Sequence, residues 1–138
     1  MLTIVDKVLF LQSVDIFNHA TTEELAFIAT IAREVEKPKG ATVFKQDETA
    51  DAMYLVVSGT VRLHKGDQEI LTVGPKQAFG TWALFDTEPR LMTATALDDV
   101  HLLKIQQEEF YDLLSDHIEI TQSIFKALVQ RIKRLIGS

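Results

Sequence analysis

Residues 79–96 read FGTWALFDTEPRLMTATA, and the rest of the chain can be understood from this stretch. Gly80 opens a short apolar segment, residues 82–85, which is compatible with one helical turn. The first N–H groups of a helix have no partner inside it, and this end of a helix therefore attracts anions. The sequence predicts an anion-binding site at the start of this segment.

Arg90 is a second candidate for contact with an anion. Pro89 fixes the backbone directly before it, and the strand-like residues 93–97 follow. An arginine between two such segments is held in place, and its planar guanidinium suits bidentate contact with a phosphate or carboxylate. Taken alone, however, Arg90 favours a structural ion pair with a nearby carboxylate. The candidate partners are Asp86, Glu88 and Asp98.

The composition is typical of one globular domain. The chain has 138 residues, of which 46% are hydrophobic and 25% are charged. It has no cysteine, so neither a disulfide framework nor a thiolate metal site can form. The N-terminus shows no secretory signal pattern, and no apolar run reaches the roughly 20 residues of a membrane span. We therefore expect a cytoplasmic domain without direct membrane insertion.

The charge balance argues against a nucleic-acid partner. The formal net charge is -6, and the acidic residues are scattered through the chain. A protein that binds nucleic acid through phosphate contacts needs a basic face. A small basic cluster lies near the C-terminus, where cations complement a helix dipole. It consists of Lys126, Arg131, Lys133 and Arg134.

Residue periodicity divides a single domain, residues 1–138, into three parts. The parts are N-terminal helices (2–33), a β-roll (34–106) that contains the 79–96 stretch, and C-terminal helices (107–137). Apolar residues at helical spacing predict a first helix over 2–11. A capping box of Thr21 and Glu24 begins a second, which should end near Arg33. The first helix either covers the domain's own core or contacts a neighbouring domain.

The middle part has the pattern of a small antiparallel barrel or roll. Short segments rich in β-branched and aromatic residues alternate with turn signals. The predicted strands are 42–44, 53–58, 60–64, 69–73, 93–97 and 101–105. Gly59 separates two of them and marks a bulge or a sharp bend.

The last part predicts two helices, 108–114 and 118–136. The apolar stripe of the second is wider than a lone surface helix needs. This stripe either covers the roll or pairs with a second copy of itself. We favour the second interpretation, a homodimer through the C-terminal helix.

The sequence does not favour catalysis. The four histidines are far apart, and none has a partner at metal-ligand spacing. Nucleophile-elbow, phosphate-loop and dinucleotide-binding motifs do not occur. We expect no metal site, no cofactor and no enzyme.

Two segments in the right order and at the right distance resemble a known family. Residues 51–59, DAMYLVVSG, resemble the D-x-M-Y-x-V-x-S-G strand of the cyclic nucleotide-binding domain family, and residues 79–96 resemble its phosphate-binding cassette. The resemblance covers nearly the whole chain. It implies an α+β, mostly β fold: a jelly-roll-like antiparallel barrel, or double-stranded β-helix, flanked by N- and C-terminal helices. Cyclic AMP receptor proteins without their DNA-binding domain have this architecture.

The resemblance also implies a ligand site. In the family, the cassette helix offers N–H groups to the cyclic phosphate, and the arginine at the position of Arg90 pairs with that phosphate. The site residues that it implies are Phe79, Gly80, Thr81, Trp82, Ala83, Arg90, Leu91 and Met92.

This chain departs from the family pattern at two places. The family has a glutamate after the glycine, which binds the ribose 2′-hydroxyl, whereas this chain has Thr81. The lost charge-assisted contact is worth about 1.5–3 kcal/mol, or roughly tenfold to a hundredfold in affinity. After the arginine the family has small residues, whereas Leu91 and Met92 add bulk. Leu91 also lacks the hydroxyl that, in the family, favours guanine.

Two hypotheses follow. In the first, the chain is a regulatory module that binds a cyclic nucleotide, cyclic AMP rather than cyclic GMP, or another small anion, and signals through the C-terminal helix. In the second, the site is degenerate and the chain is a dimerisation or protein-interaction module with Arg90 in an internal ion pair. Because no winged helix-turn-helix follows, we expect a stand-alone domain or part of a larger protein.

Overall fold

The computed structural model describes residues 1–137. Four α-helices lie within this range: α1 (Ile4–Leu11), α2 (Thr22–Ile31), α3 (Gln107–Asp116) and α4 (Ile118–Ile136). The strands are β1 (Arg33–Lys37), β2 (Thr42–Phe44), β3 (Ala52–Ser58), β4 (Val61–Lys65), β5 (Gln68–Val73), β6 (Ala78–Phe79), β7 (Thr93–Ala96) and β8 (Val100–Gln106). Two 3-10 turns, Asp15–Phe17 and Thr81–Leu84, complete the described elements.

The strands form two four-stranded antiparallel sheets with the orders β1-β8-β3-β6 and β2-β7-β4-β5. This arrangement confirms the predicted fold, which is mostly β with flanking helices. The two sheets form a roll and do not close into one barrel. Strands β1 and β6 are absent from the strands predicted above. Strand β1 begins at Arg33, opposite Lys104 of β8, so α2 ends at Ile31, slightly before the predicted end.

Both N-terminal helices begin at capping boxes. The Thr21 side chain accepts the Glu24 N–H at 3.1 Å, and the Glu24 carboxylate accepts the Thr21 N–H at 3.0 Å, as the sequence predicted. Thr3 and Asp6 form the same arrangement before α1, which therefore begins later than predicted. These caps fix where the helices enter the layer that covers the β1-β8-β3-β6 sheet.

Strand β3 is shared by two hydrophobic cores. Successive side chains of a strand point to opposite faces. Tyr54 and Val56 belong to a core inside the roll, whereas Met53 and Leu55 belong to a second core under the helices. Because both faces are covered, the strand is buried continuously from Ala52 to Val56. This explains why its sequence is an uninterrupted apolar run.

The bend expected at Gly59 lies between β3 and β4. Gly59 has a φ of +87°, and a Cβ atom there would lie 2.5 Å from the Asp99 carbonyl oxygen. Both facts restrict this position to glycine.

In the described part of the chain, no helix combines the length and the apolar character that crossing a bilayer requires.

Candidate anion-binding site

A cavity of about 340 Å³ opens beside the 79–96 stretch. Most of its wall is apolar, and Arg90 is the cation that lines it. Its lining residues are Phe44, Ala50, Leu63, Gly80, Trp82, Ala83, Asp86, Glu88, Pro89, Arg90, Leu91 and Met92.

The backbone of Arg90 is fixed on both sides. Its N–H donates to the Glu48 carbonyl at 2.8 Å, and its carbonyl accepts the Asp47 N–H at 2.8 Å. Pro89 precedes it, and β7, which pairs with β2 and β4, begins shortly after it. The arginine is therefore held in place, as the sequence indicated.

The Arg90 side chain turns inward and is only 6% exposed. One terminal nitrogen, Nη2, donates to the Ala52 carbonyl oxygen at 2.6 Å. The guanidinium carbon lies 3.9 Å from the centre of the Phe44 ring, a cation–π contact. Its Nε is buried and has no acceptor among residues 1–137, and Nη1 makes no hydrogen bond to them either. Two of the three guanidinium nitrogens are thus without a partner in the described part of the chain.

The ion pair expected for Arg90 does not form. Within the described residues, no carboxylate oxygen lies within the 4.0 Å salt-bridge distance of its guanidinium. The expectation was wrong because Asp86, Glu88 and Asp98 all lie on the exposed surface, whereas Arg90 points into the roll. Burial lowers the pKa of Arg90, opposed by Tyr54 and the more distant charges of Asp51 and Glu48. Arginine nevertheless stays protonated in proteins, so the buried positive charge persists.

Gly80 is required by the approach of Arg90. It has a φ of +69°, in the left-handed region, and it directly precedes the Thr81–Leu84 turn. A Cβ atom on Gly80 would lie 2.6 Å from Arg90 Nη1. Any larger residue would therefore displace the guanidinium as well as strain the backbone.

The segment after Gly80 is a single 3-10 turn. The Ala83 N–H donates to the Gly80 carbonyl at 3.1 Å, so this group is already used. The N–H groups of Thr81 and Trp82 have no acceptor among the described residues. The turn is anchored from the other side by Gln107, whose Nε2 donates to the Ala83 and Asp86 carbonyls at 2.8 and 3.0 Å.

Six of the eight predicted site residues line the cavity. They are Gly80, Trp82, Ala83, Arg90, Leu91 and Met92. Phe79 lies behind the wall, 3% exposed, and its ring stacks on Tyr54 at 5.4 Å. Thr81 does not belong to the lining and is partly exposed. That these residues bind a ligand stays a prediction.

The two large side chains after Arg90 lie in different surroundings. Met92 is partly buried against the core inside the roll, whereas Leu91 is 73% exposed. Leu91 therefore lies at the cavity mouth and leaves the space next to the guanidinium open.

Sequence reasoning missed the surroundings of Arg90. Phe44, Ala50 and Leu63 line the cavity, and the Ala52 carbonyl holds the guanidinium. Phe44 in turn contacts Tyr54 and Phe79, each at 5.9 Å between ring centres. Phe44 could have been found as an aromatic residue at the end of a predicted strand that also matches a weaker position of the family pattern.

Comparison with known proteins identifies the family. A family model described as the cyclic nucleotide-binding domain matches residues 34–117, more than half of the chain. The chain belongs to the cyclic nucleotide-binding domain family. This family comprises regulatory ligand-binding domains.

The similar proteins include regulators of different kinds. A CRP-like cAMP-activated global transcriptional regulator of Mycobacterium tuberculosis is 28% identical over 86% of this chain and 55% of its own length. A cyclic nucleotide-gated potassium channel of Rhizobium etli is 29% identical over 86% of this chain and 33% of its own length. The N-terminal domain of a Streptomyces coelicolor transcriptional regulator superposes with a TM-score of 0.86, at 28% identity and 93% coverage of both chains. The chain spans about half the length of the first curated relatives, or less.

Proposed function

We propose that this chain is a regulatory module that binds a small anionic ligand beside Arg90, with cyclic AMP favoured over cyclic GMP. The observation that carries the proposal is the buried guanidinium, with its unused Nε and no carboxylate partner among residues 1–137. A buried charge without a counter-charge is unfavourable, and a bound phosphate would supply both the charge and the missing acceptor.

The cavity suits a ligand with an anionic end and a larger apolar body. Its volume lies within the usual range of small-molecule sites, about 300–1,000 Å³. The apolar residues Leu63 and Met92 line it together with Arg90. A cyclic nucleotide combines a phosphate with a flat, weakly polar base, and family membership makes it the first candidate.

The choice between the two nucleotides rests on the residue after Arg90. The family resemblance associates a hydroxyl at this position with guanine, and Leu91 has none. The name of the M. tuberculosis relative states activation by cAMP, which supports the same ligand here. Thr81 in place of the ribose-binding glutamate should make binding weaker than in family members that keep the glutamate.

The closing helices provide a route for a signal. Gln107, the first residue of α3, holds the turn that begins at Thr81 by two hydrogen bonds, so α3 must respond if that turn moves. Helix α4 follows α3 after His117. We infer that ligand binding shifts the balance between two positions of α4, which requires the ligand to bind these positions with different affinity.

Calorimetric titration of the purified chain with cyclic AMP, cyclic GMP and inorganic phosphate tests the binding proposal. We expect cyclic AMP to bind more tightly than cyclic GMP, and both more tightly than phosphate. Titration with 2′-deoxy cyclic AMP should give nearly the same affinity as cyclic AMP, because Thr81 offers no carboxylate to the 2′-hydroxyl. If neither nucleotide gives a heat signal at concentrations up to about 1 mM, the Kd is weaker than about 1 mM and the proposal is contradicted.

A second proposal concerns the outer face of α4. Its large apolar side chains Ile118, Phe125, Val129, Ile132 and Ile136 are between 46% and 69% exposed. From Phe125 onward they are spaced by four, three and four residues, the alternation found at the contact positions of coiled coils. We propose that this stripe pairs with the same stripe of a second copy, so that the ligand signal passes through a dimer.

Sedimentation analysis of matched variants tests the dimer. Ile132→Glu places a charge within the stripe and should give monomers. Gln130→Glu introduces the same charge at an exposed position outside the stripe and should leave the dimer intact. A wild-type chain that stays monomeric over the whole concentration range would contradict pairing through α4.

A further inference from the structure

We propose that Arg131 of α4 is a positioning residue for the cavity wall and acts through Trp82. The proposal concerns this side-chain pair, and only its ligand-binding consequence rests on the function proposed above. Arg131 lies 49 positions after Trp82 in the chain and on a different structural layer. Nothing in the cassette sequence itself indicates that α4 reaches the cavity wall.

The contact is a cation–π pair. The guanidinium carbon of Arg131 lies 5.0 Å from the centre of the Trp82 ring, within the about 6 Å reach of this interaction. Trp82 also lines the cavity, so one residue joins the cavity wall to the arginine of α4. Trp82 is 53% exposed, and its ring neighbour among the described residues is Phe85 at 6.4 Å. Packing alone therefore leaves the indole room to turn, and Arg131 restricts it.

Arg131 has a second partner, which holds it weakly. Its Nη1 lies 3.8 Å from Oδ2 of Asp15, on the 3-10 turn between α1 and α2. Both side chains are considerably exposed, and ion pairs of this kind contribute little stability. Asp15 therefore orients Arg131 without locking it. The guanidinium joins three segments: the N-terminal turn, the cavity wall and α4.

This geometry links the position of α4 to the shape of the cavity. If α4 moves, Arg131 leaves the indole, and the wall formed by Trp82 loses its constraint. Thermodynamic coupling is reciprocal, so a ligand that needs an ordered indole wall also favours the α4 position in which Arg131 contacts it. Removing Arg131 should weaken ligand binding about two- to fivefold, the equivalent of one exposed cation–π contact.

The intrinsic fluorescence of the protein provides a direct test, because Trp82 is the single tryptophan of the chain. In Arg131→Leu, we expect a shifted emission maximum and stronger quenching by acrylamide. Arg131→Lys should keep part of the wild-type signal, since an ammonium also forms cation–π contacts. Arg134→Leu, an exposed arginine on the same helix, is the matched control and should behave as wild type.

Two results would overturn the proposal. The first is unchanged Trp82 emission and quenching in Arg131→Leu, and the second is an equal change in Arg134→Leu. If Arg131→Leu does not fold, as circular dichroism would show, Arg131→Gln replaces it with the same expected outcomes.

A cyclic AMP titration of the same variants tests the consequence for the ligand. Arg131→Leu should bind about two- to fivefold more weakly than wild type, and Arg134→Leu should bind equally well. Equal affinity of Arg131→Leu and wild type would overturn the role in the cavity. If wild type itself does not bind, the proposed function fails, while the fluorescence experiment still decides whether Arg131 positions Trp82.

Discussion

Two arginines contact aromatic rings that line the cavity, and they differ in burial. Arg90 lies 3.9 Å from the Phe44 ring centre and is 6% exposed, whereas Arg131 lies 5.0 Å from the Trp82 ring centre with a side chain that is 41% exposed. Electrostatic interactions are stronger away from water. One arginine is therefore fixed inside the fold, while the other is weakly held at the surface.

Arg90→Met tests the role of the buried arginine and should have the largest effect on ligand affinity among these variants. We expect cyclic AMP affinity to fall by about a hundredfold or more, because two charge-assisted hydrogen bonds to phosphate are lost. Thermal stability should stay equal or rise, because an apolar side chain replaces a buried charge without a carboxylate partner. Arg90→Lys keeps the charge and serves as the control, with an intermediate loss of affinity. A large loss of stability in Arg90→Met would indicate that Arg90 is mainly structural.

Thr81→Glu tests whether the ribose contact alone is missing. Restoring the carboxylate should raise cyclic AMP affinity by roughly tenfold to a hundredfold. The gain should vanish with 2′-deoxy cyclic AMP. Thr87→Glu adds the same charge at an exposed position of the same loop and should not raise affinity. If Thr81→Glu gives no gain, the missing ribose contact is not what limits the affinity.

Gly80→Ala tests the space that Arg90 needs. The new Cβ would lie 2.6 Å from Nη1, so we expect about tenfold weaker binding and a stability loss of about 1–2 kcal/mol. Gly66→Ala is a matched control, because Gly66 also has a positive φ, +57°, but open space around it. It should lose stability through backbone strain and keep its affinity. Equal affinity of the two variants would argue against a role for the Gly80 approach.

Gln107→Met should have the smallest effect on ligand affinity among these variants. It removes one hydrogen bond to Ala83 in the turn at Thr81–Leu84 and one to Asp86 just after it, each worth about 1 kcal/mol. We expect a lower melting temperature and a few-fold loss of cyclic AMP affinity, measured by calorimetry. Gln106→Met changes the preceding residue, whose side chain makes no hydrogen bond to the described residues, and should have little effect.

The candidate site could be predicted from the sequence only where its parts are adjacent in the chain. Gly80, Pro89 and Arg90 lie within one short segment, and the roll followed from turn signals between apolar strands. The surroundings of Arg90 could not be predicted, because the Ala52 carbonyl is 38 residues away and lies on a strand of the other sheet. The two come together only where the sheets pack on each other. There Arg90 turns inward, whereas the nearby carboxylates stay at the surface. For this reason an ion pair inferred from sequence distance was wrong.

The two-faced burial of β3 has a consequence for local opening of the chain. Ala52 supplies the carbonyl that holds Arg90, and the next residue, Met53, lies in the core under the helices. The helical layer therefore cannot separate from the roll without exposing a strand that also holds Arg90 at the cavity wall. We expect the β3 amides to be among the slowest to exchange hydrogen for deuterium, and a bound ligand to slow exchange on both sides of this strand together.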